Sequence, residues 1–155
     1  MCISVLEDYL LSYQHHIKSV SAISADSTNH SVCCESECQA YSFDDIIKEV
    51  CDKLDGEVIA SVDAISFYDG WLNLIEFKNS SCAGRKTQFG LKRKFNDTVR
   101  YFERIVLEKP FLDGTDIQTR IILVFNPKNP SGYNDVKNGL NKYAKRLPAD
   151  KYNLK

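Results

Sequence analysis

The sequence predicts an α/β domain in which helices flank a central mixed sheet. Three observations carry that expectation. Residues 61–79 read as a β-hairpin, two apolar and β-branched runs meeting at Asp69-Gly70, the dipeptide that most favours a two-residue type I′ turn. Apolar stripes of helical period lie on either side of it, over about 42–54 and 87–107. Beyond the second stripe comes Ile121-Ile122-Leu123-Val124-Phe125, a continuous apolar run of the kind that fills a buried parallel strand.

In chain order, Ile3, Leu6, Leu10, Tyr13, Ile17 and Val20 recur at helical spacing and predict one helix over residues 2–20. Residues 21–40 are polar and rich in serine, which predicts a long loop or mobile linker. From Ser42 to Leu54 the stripe is Phe43, Ile46, Ile47, Val50, Cys51 and Leu54. Ser42 is placed to cap this helix, with Asp45 at the third helical position, and Gly56 to stop it. The hairpin strands follow, at about 58–68 and 71–79. The next helix, about 87–107, carries Leu91, Phe95, Thr98, Phe102 and Ile105 on one side. Pro110–Asp116 is a loop, Arg120–Asn126 a strand ended by Pro127, and about 133–147 a last helix with Tyr133, Val136, Leu140, Tyr143 and Ala144 inward.

The hairpin turn fixes a register. A two-residue turn pairs Tyr68 with Trp71, and counting outward sets Asp63 opposite Glu76. Side chains alternate faces along a strand, so Asp63, Ile65 and Phe67 share a face with Leu72, Leu74, Glu76 and Lys78. Val62, Ala64, Ile75 and Phe77 take the other. The first face is apolar near the turn and charged at its far end, and with apolar residues on the other face as well the hairpin reads as buried in mid-sheet. Asp63 and Glu76 then face each other with Cβ atoms about 5 Å apart. Facing like charges destabilise a sheet, so a compensating charge is required. A divalent cation between the two carboxylates supplies it. The alternative is a plain Glu76–Lys78 ion pair.

Asp63, a hairpin, then Glu76-Phe77-Lys78 resembles the signature of the PD-(D/E)XK nuclease superfamily, with Val62 where the family's name has proline. The resemblance implies a restriction-endonuclease-like core of order α-β-β-β-α-β, in which Glu57–Ala60 would supply the strand before Asp63 or the sheet would be one strand short. It implies catalytic residues Asp63, Glu76 and Lys78, the lysine positioning or activating the attacking water. It implies Mg²⁺ or Mn²⁺ held by Asp63, Glu76 and the Phe77 backbone carbonyl, with Glu49 a candidate third carboxylate from the preceding helix. A solvated helix glutamate is the other reading of Glu49. The implied activity is metal-dependent hydrolysis of phosphodiester bonds by an endo- or exonuclease, with DNA preferred to RNA as partner, and a homodimer is compatible with it. Arg85, Gln88, Lys92 and Arg93 on the following helix are the expected nucleic-acid contacts, solvated surface cations being the other reading of Arg93 and Lys94. Two further classes stay open: a catalytically inactive nuclease-fold module that binds nucleic acid or a protein, and a small α/β interaction domain with an ordinary hairpin.

Composition narrows the setting. The chain has 155 residues, 43% of them hydrophobic and 26% charged, ordinary for a single soluble domain spanning 1–155. No apolar run is long enough to span a membrane. Glu7 and Asp8 interrupt the start where a signal peptide would be apolar, so a cytoplasmic setting is expected, with the six cysteines reduced. The net charge of −1 hides a split: residues 1–84 hold 4 Lys/Arg against 14 Asp/Glu, and residues 85–155 hold 16 against 7. A basic half beside a carboxylate site suits a polyanion, and mutual neutralisation within the fold is the competing account. His30, Cys33, Cys34 and Cys38 cluster, but their spacing fits no common zinc pattern, which favours a polar loop that happens to carry cysteines.

Overall fold

The computed structural model describes residues 2–27, 31–54, 56–68, 70–78, 85–107, 118–125 and 152–154. The chain opens with α1 (Cys2–Leu11), a one-turn 3-10 helix (Gln14–His16), β1 (Ile17–Ser19) and the single turn α2 (Val20–Ile23). The short strands β2 (Ala25–Asp26) and β3 (Ser31–Val32) pair only with each other. Then come β4 (Gln39–Ser42), α3 (Phe43–Leu54), β5 (Ala64–Tyr68), β6 (Trp71–Lys78), α4 (Arg85–Tyr101), β7 (Gln118–Phe125) and β8 (Tyr152–Leu154). The main sheet has the order β1-β4-β5-β6-β7-β8. Its first three pairings are antiparallel, and β7 lies parallel to both β6 and β8. The chain is therefore a mixed α/β fold.

The hairpin has the expected register. Tyr68 pairs with Trp71, Phe67 with Leu72 and Ile65 with Leu74, and Gly70 sits at φ 75°, the left-handed region a type I′ turn demands. Asp69 lies outside the described residues. The hairpin is buried on both sides. Ile65, Leu72 and Leu74 pack against Leu6 and Leu10 of α1, Phe43, Ile46 and Ile47 of α3, and Leu91, Phe95 and Phe102 of α4, and Val62, expected on the other face, joins them because the chain bends at Asp63. Behind the sheet, Ala64 and Phe77 pack with Cys33 and Ala40. The run Ile121–Phe125 is a strand parallel to β6, as its continuous apolar character predicts.

Three expectations need correction. The first helix stops at Leu11 rather than running to Val20, and the chain turns so that Ile17 and Lys18 join the sheet against β4. Tertiary pairing overrides the helical spacing there, where His15, His16 and Ile17 are only middling helix formers. The segment 21–40 is not simply a loop, because it holds α2, β2 and β3 and leads into β4. Glu57–Ala60 forms no strand, and the first hairpin strand starts at Ala64 rather than at about 58. The neighbour of β5 is β4, which precedes α3 in the chain (Tyr41 opposite Ile65). One stripe residue also changes role. Phe102–Val106 forms a π-turn, closed by the Leu107 N–H donating to the Phe102 carbonyl at 2.9 Å. The extra residue in that turn rotates the pattern, and Ile105 faces solvent. The expected helix at about 133–147 lies outside the described residues.

Candidate functional site

Asp63 is set by contacts on each side of it. The Phe43 N–H at the start of α3 donates to the Asp63 carbonyl at 3.0 Å. One residue earlier, the Val62 N–H donates to Thr98 Oγ1 of α4 at 3.1 Å. The Ser61 hydroxyl is bonded to the Asp44 carboxylate of α3. Backbone pairing of the hairpin ends at Ala64–Ile75, so Asp63 lies one residue beyond the ladder. Its carboxylate takes over there: Oδ2 accepts the Phe77 N–H at 2.7 Å.

Glu76, at the far end of β6, is fully buried. Lys78, next on the same face, donates to Glu76 Oε1 at 2.5 Å. A second ammonium reaches the pair from α4. Lys94 Nζ donates to Asp63 Oδ1 at 3.0 Å and to Glu76 Oε1 and Oε2 at 2.8 and 3.0 Å. Both carboxylates thus converge on one nitrogen, a side-chain cation at the point where the two negative charges face each other. Burial pushes the Glu76 carboxyl above its ordinary value, Asp63 adds to this, and Lys78 and Lys94 oppose it. Burial works against charged Lys94, but Glu76 and then Asp63 outweigh it and hold the ammonium above the usual lysine value.

The structure therefore brings together Asp63, Glu76, Phe77 and Lys78. Glu49 belongs elsewhere: its recorded partners are His15, His16 and Lys53. Asp44 is the α3 carboxylate that feels the site. Burial raises its pKa, the Ser61 bond and Lys94 lower it, and Asp63 raises it again. At 100° per residue, five positions turn Glu49 about 140° around the helix from Asp44, which accounts for the difference. On α4, Lys92 is half-buried and lies two residues from Lys94, about 200° of rotation. Exposed Arg93 pairs with Asp97 within its own helix at 3.4 Å. Arg85 and Gln88 stand in the first turn of α4, and their side chains lie outside the described residues.

Sequence reasoning passed over Lys94 and Asp44. Each had a faint signal. Lys94 lies four residues before Thr98 and three after Leu91, on the border of the buried stripe, where a long side chain can cross into the interior. Asp44 occupies the first turn of a helix whose first N–H, that of Phe43, bonds the Asp63 carbonyl.

The cysteine loop behaves as a wall of the fold. Buried Cys33 approaches the carbonyls of Lys78 and Val124, each at 3.4 Å, from behind the sheet, and His30 lies outside the described residues. Among the described residues no helix is long and apolar enough to cross a membrane. No family model, curated protein or solved structure matches this chain.

Proposed function

We propose that the protein is a divalent-metal-dependent nuclease of the PD-(D/E)XK type that hydrolyses phosphodiester bonds in nucleic acid. One observation carries the proposal: Asp63 and Glu76, from the two arms of one hairpin, present their carboxylates to a single cation with Lys78 alongside. The element order supports it. From α3 onward, β5, β6, α4 and β7 follow the α-β-β-β-α-β order less one strand, and β4, which precedes α3, pairs with β5 where that strand would lie.

The donors suit Mg²⁺ or Mn²⁺. Two carboxylates are the hard oxygen ligands such ions take. The Phe77 N–H points across to Asp63, and on an extended strand the carbonyl of the same residue faces the same edge. Asp63, Glu76 and that carbonyl would hold the ion. When bound, the ion would neutralise charge on the phosphate and lower the pKa of an attacking water. Lys78, anchored on Glu76, would orient that water and stabilise the charge developing on the phosphoryl oxygens. Lys94 would give up its place between the carboxylates and turn to the phosphate. The surplus of Lys and Arg after residue 84 would draw the polyanion in, largely without regard to base sequence.

A second reading is favoured by Lys94 itself. An ammonium that already neutralises both carboxylates suits an inactive nuclease-fold module, one that binds nucleic acid or a protein without cutting. The deciding experiment incubates the protein with plasmid DNA, single-stranded DNA and RNA in Mg²⁺, in Mn²⁺ and in chelator. Metal-dependent cleavage that Asp63→Ala, Glu76→Ala and Lys78→Ala each abolish supports the enzyme. Binding without cleavage in either metal supports the module.

A further inference from the structure

A second group of ligating atoms lies apart from Asp63 and Glu76. His15 and His16 stand in the 3-10 turn between α1 and β1, and Glu49 lies in α3. Both imidazole Nε2 atoms converge on one oxygen, Glu49 Oε2, at 2.8 and 2.6 Å. The two rings are tilted with centroids 4.3 Å apart. Lys53 engages the other oxygen, Oε1, which leaves Oε2 to the histidines. All three ligand atoms lie within 4.8 Å of one another, the one such trio of His, Cys, Asp or Glu among the described residues.

We propose that His15, His16 and Glu49 form a binding site for a transition-metal dication of the zinc class. Two imidazole nitrogens and one carboxylate oxygen are a donor set of zinc and its neighbours. Mg²⁺ takes oxygens instead and would be discriminated against. The geometry is close to what an ion needs. Bonds of about 2.0–2.1 Å to a tetrahedral ion set ligand atoms about 3.4 Å apart, so the hydrogen-bonded distances of 2.8 and 2.6 Å must open by about 0.6 and 0.8 Å, and the widest, within 4.8 Å, must close by at most about 1.4 Å. These side chains can move that far, since His15 is 56% exposed and Glu49 25%. Each histidine must offer a bare Nε2, so its proton shifts to Nδ1 or is released to solvent as the ion binds. Three protein ligands leave a further position for water. Bound there, the ion would tie the turn after α1 to the middle of α3, joining segments 33 residues apart. None of this draws on the Asp63–Glu76 site.

The test uses the full chain stripped with chelator. Co²⁺ alone is titrated and its visible d–d absorption followed, then Zn²⁺ and Mg²⁺ are added separately as competitors. The expected result is one intensely absorbing, tetrahedral Co²⁺ per chain, displaced by Zn²⁺ and not by Mg²⁺, any ion among the oxygens of Asp63 and Glu76 absorbing only weakly. Affinity should fall by about tenfold or more in Glu49→Gln and in the His15→Ala/His16→Ala double variant. It should be unchanged in Asp63→Asn and in Cys34→Ser/Cys38→Ser. Where Glu49→Gln fails to fold, the double variant decides, both histidines lying in a turn outside the core. Equal affinity in the wild type and the double histidine variant overturns the proposal. So does displacement by Mg²⁺, or loss of binding in the cysteine variant in place of the histidine one.

Discussion

Lys94→Met is the sharpest perturbation of the candidate active site. The substitution keeps most of the side chain's length and removes a cation with three hydrogen bonds to two carboxylates. Removing one partner of a buried ion pair costs about 3–5 kcal/mol, because the remaining charge stays buried. Here Lys78 remains on Glu76, and the Lys94 side chain is 28% exposed, so a cost of about 2–3 kcal/mol is expected. For a chain of 155 residues that lowers Tm by roughly 4–12 °C. The lesion is one that a dication can repair. Mg²⁺ at a hundred times its Kd contributes about 2.7 kcal/mol, enough to restore most of the loss. Wild type should gain less, because there the ion must first displace an ammonium. The assay is thermal and urea unfolding of both proteins in chelator and across an Mg²⁺ titration. A variant as stable as wild type would show that the ion cluster contributes nothing. A variant that is destabilised and indifferent to Mg²⁺ would refute the shared-cation reading and leave a structural ion cluster.

Asp63→Asn and Glu76→Gln should each remove metal-dependent cleavage, read on the same nucleic acids as wild type. Neither should stabilise the metal-free protein in unfolding experiments, since each strips a partner from Lys94. In acid, Glu49 gives a clean signature. Lys53 first, then His15 and His16, pull its carboxyl from 4.5 to about 2. A depressed carboxylate lends stability that is complete above its unfolded pKa and is lost as pH falls toward its folded one. Urea unfolding of Glu49→Gln should therefore show a flatter acid limb than wild type between about pH 4.5 and 2. The Tyr9 and Tyr101 hydroxyls bond to each other between α1 and α4. Tyr9→Phe or Tyr101→Phe should cost about 1 kcal/mol in stability, seen as a lower urea midpoint, with no change in metal binding.

Much of the hairpin was legible, because a two-residue turn and a period of two leave almost no freedom. Tyr68, Asp69, Gly70 and Trp71 sufficed to place Leu74 opposite Ile65. The helix over 43–54 was legible for a similar reason, a regular stripe with a stop at Gly56, whose N–H closes onto the Cys51 carbonyl at 3.0 Å. What failed was whatever depends on partners distant in sequence. Gln39–Ser42 is four residues long and polar at its start, and its pairing with β1 on one side and β5 on the other makes it a strand. Lys94 looks like any lysine on a basic helix until the strand carrying Asp63 is laid beside it. Glu49 and Asp44 differ by their angle around one helix, which a sequence gives only once the direction of the sheet is known.

The four charged groups gathered at the end of the hairpin, two carboxylates and two ammoniums, cancel formally before any ligand arrives. An ion entering by itself would leave the buried site with uncompensated positive charge, and a phosphodiester entering by itself would meet Glu76. Arriving together, they fit better, because the diester's single negative charge offsets part of the ion's and the ion screens the diester from the carboxylates. Such a site would bind its two ligands synergistically, each raising the affinity of the other by the same factor. Metal titrations of the free protein would then understate the affinity that prevails on nucleic acid. The order in which metal and substrate are mixed would alter only the approach to equilibrium, not its end point.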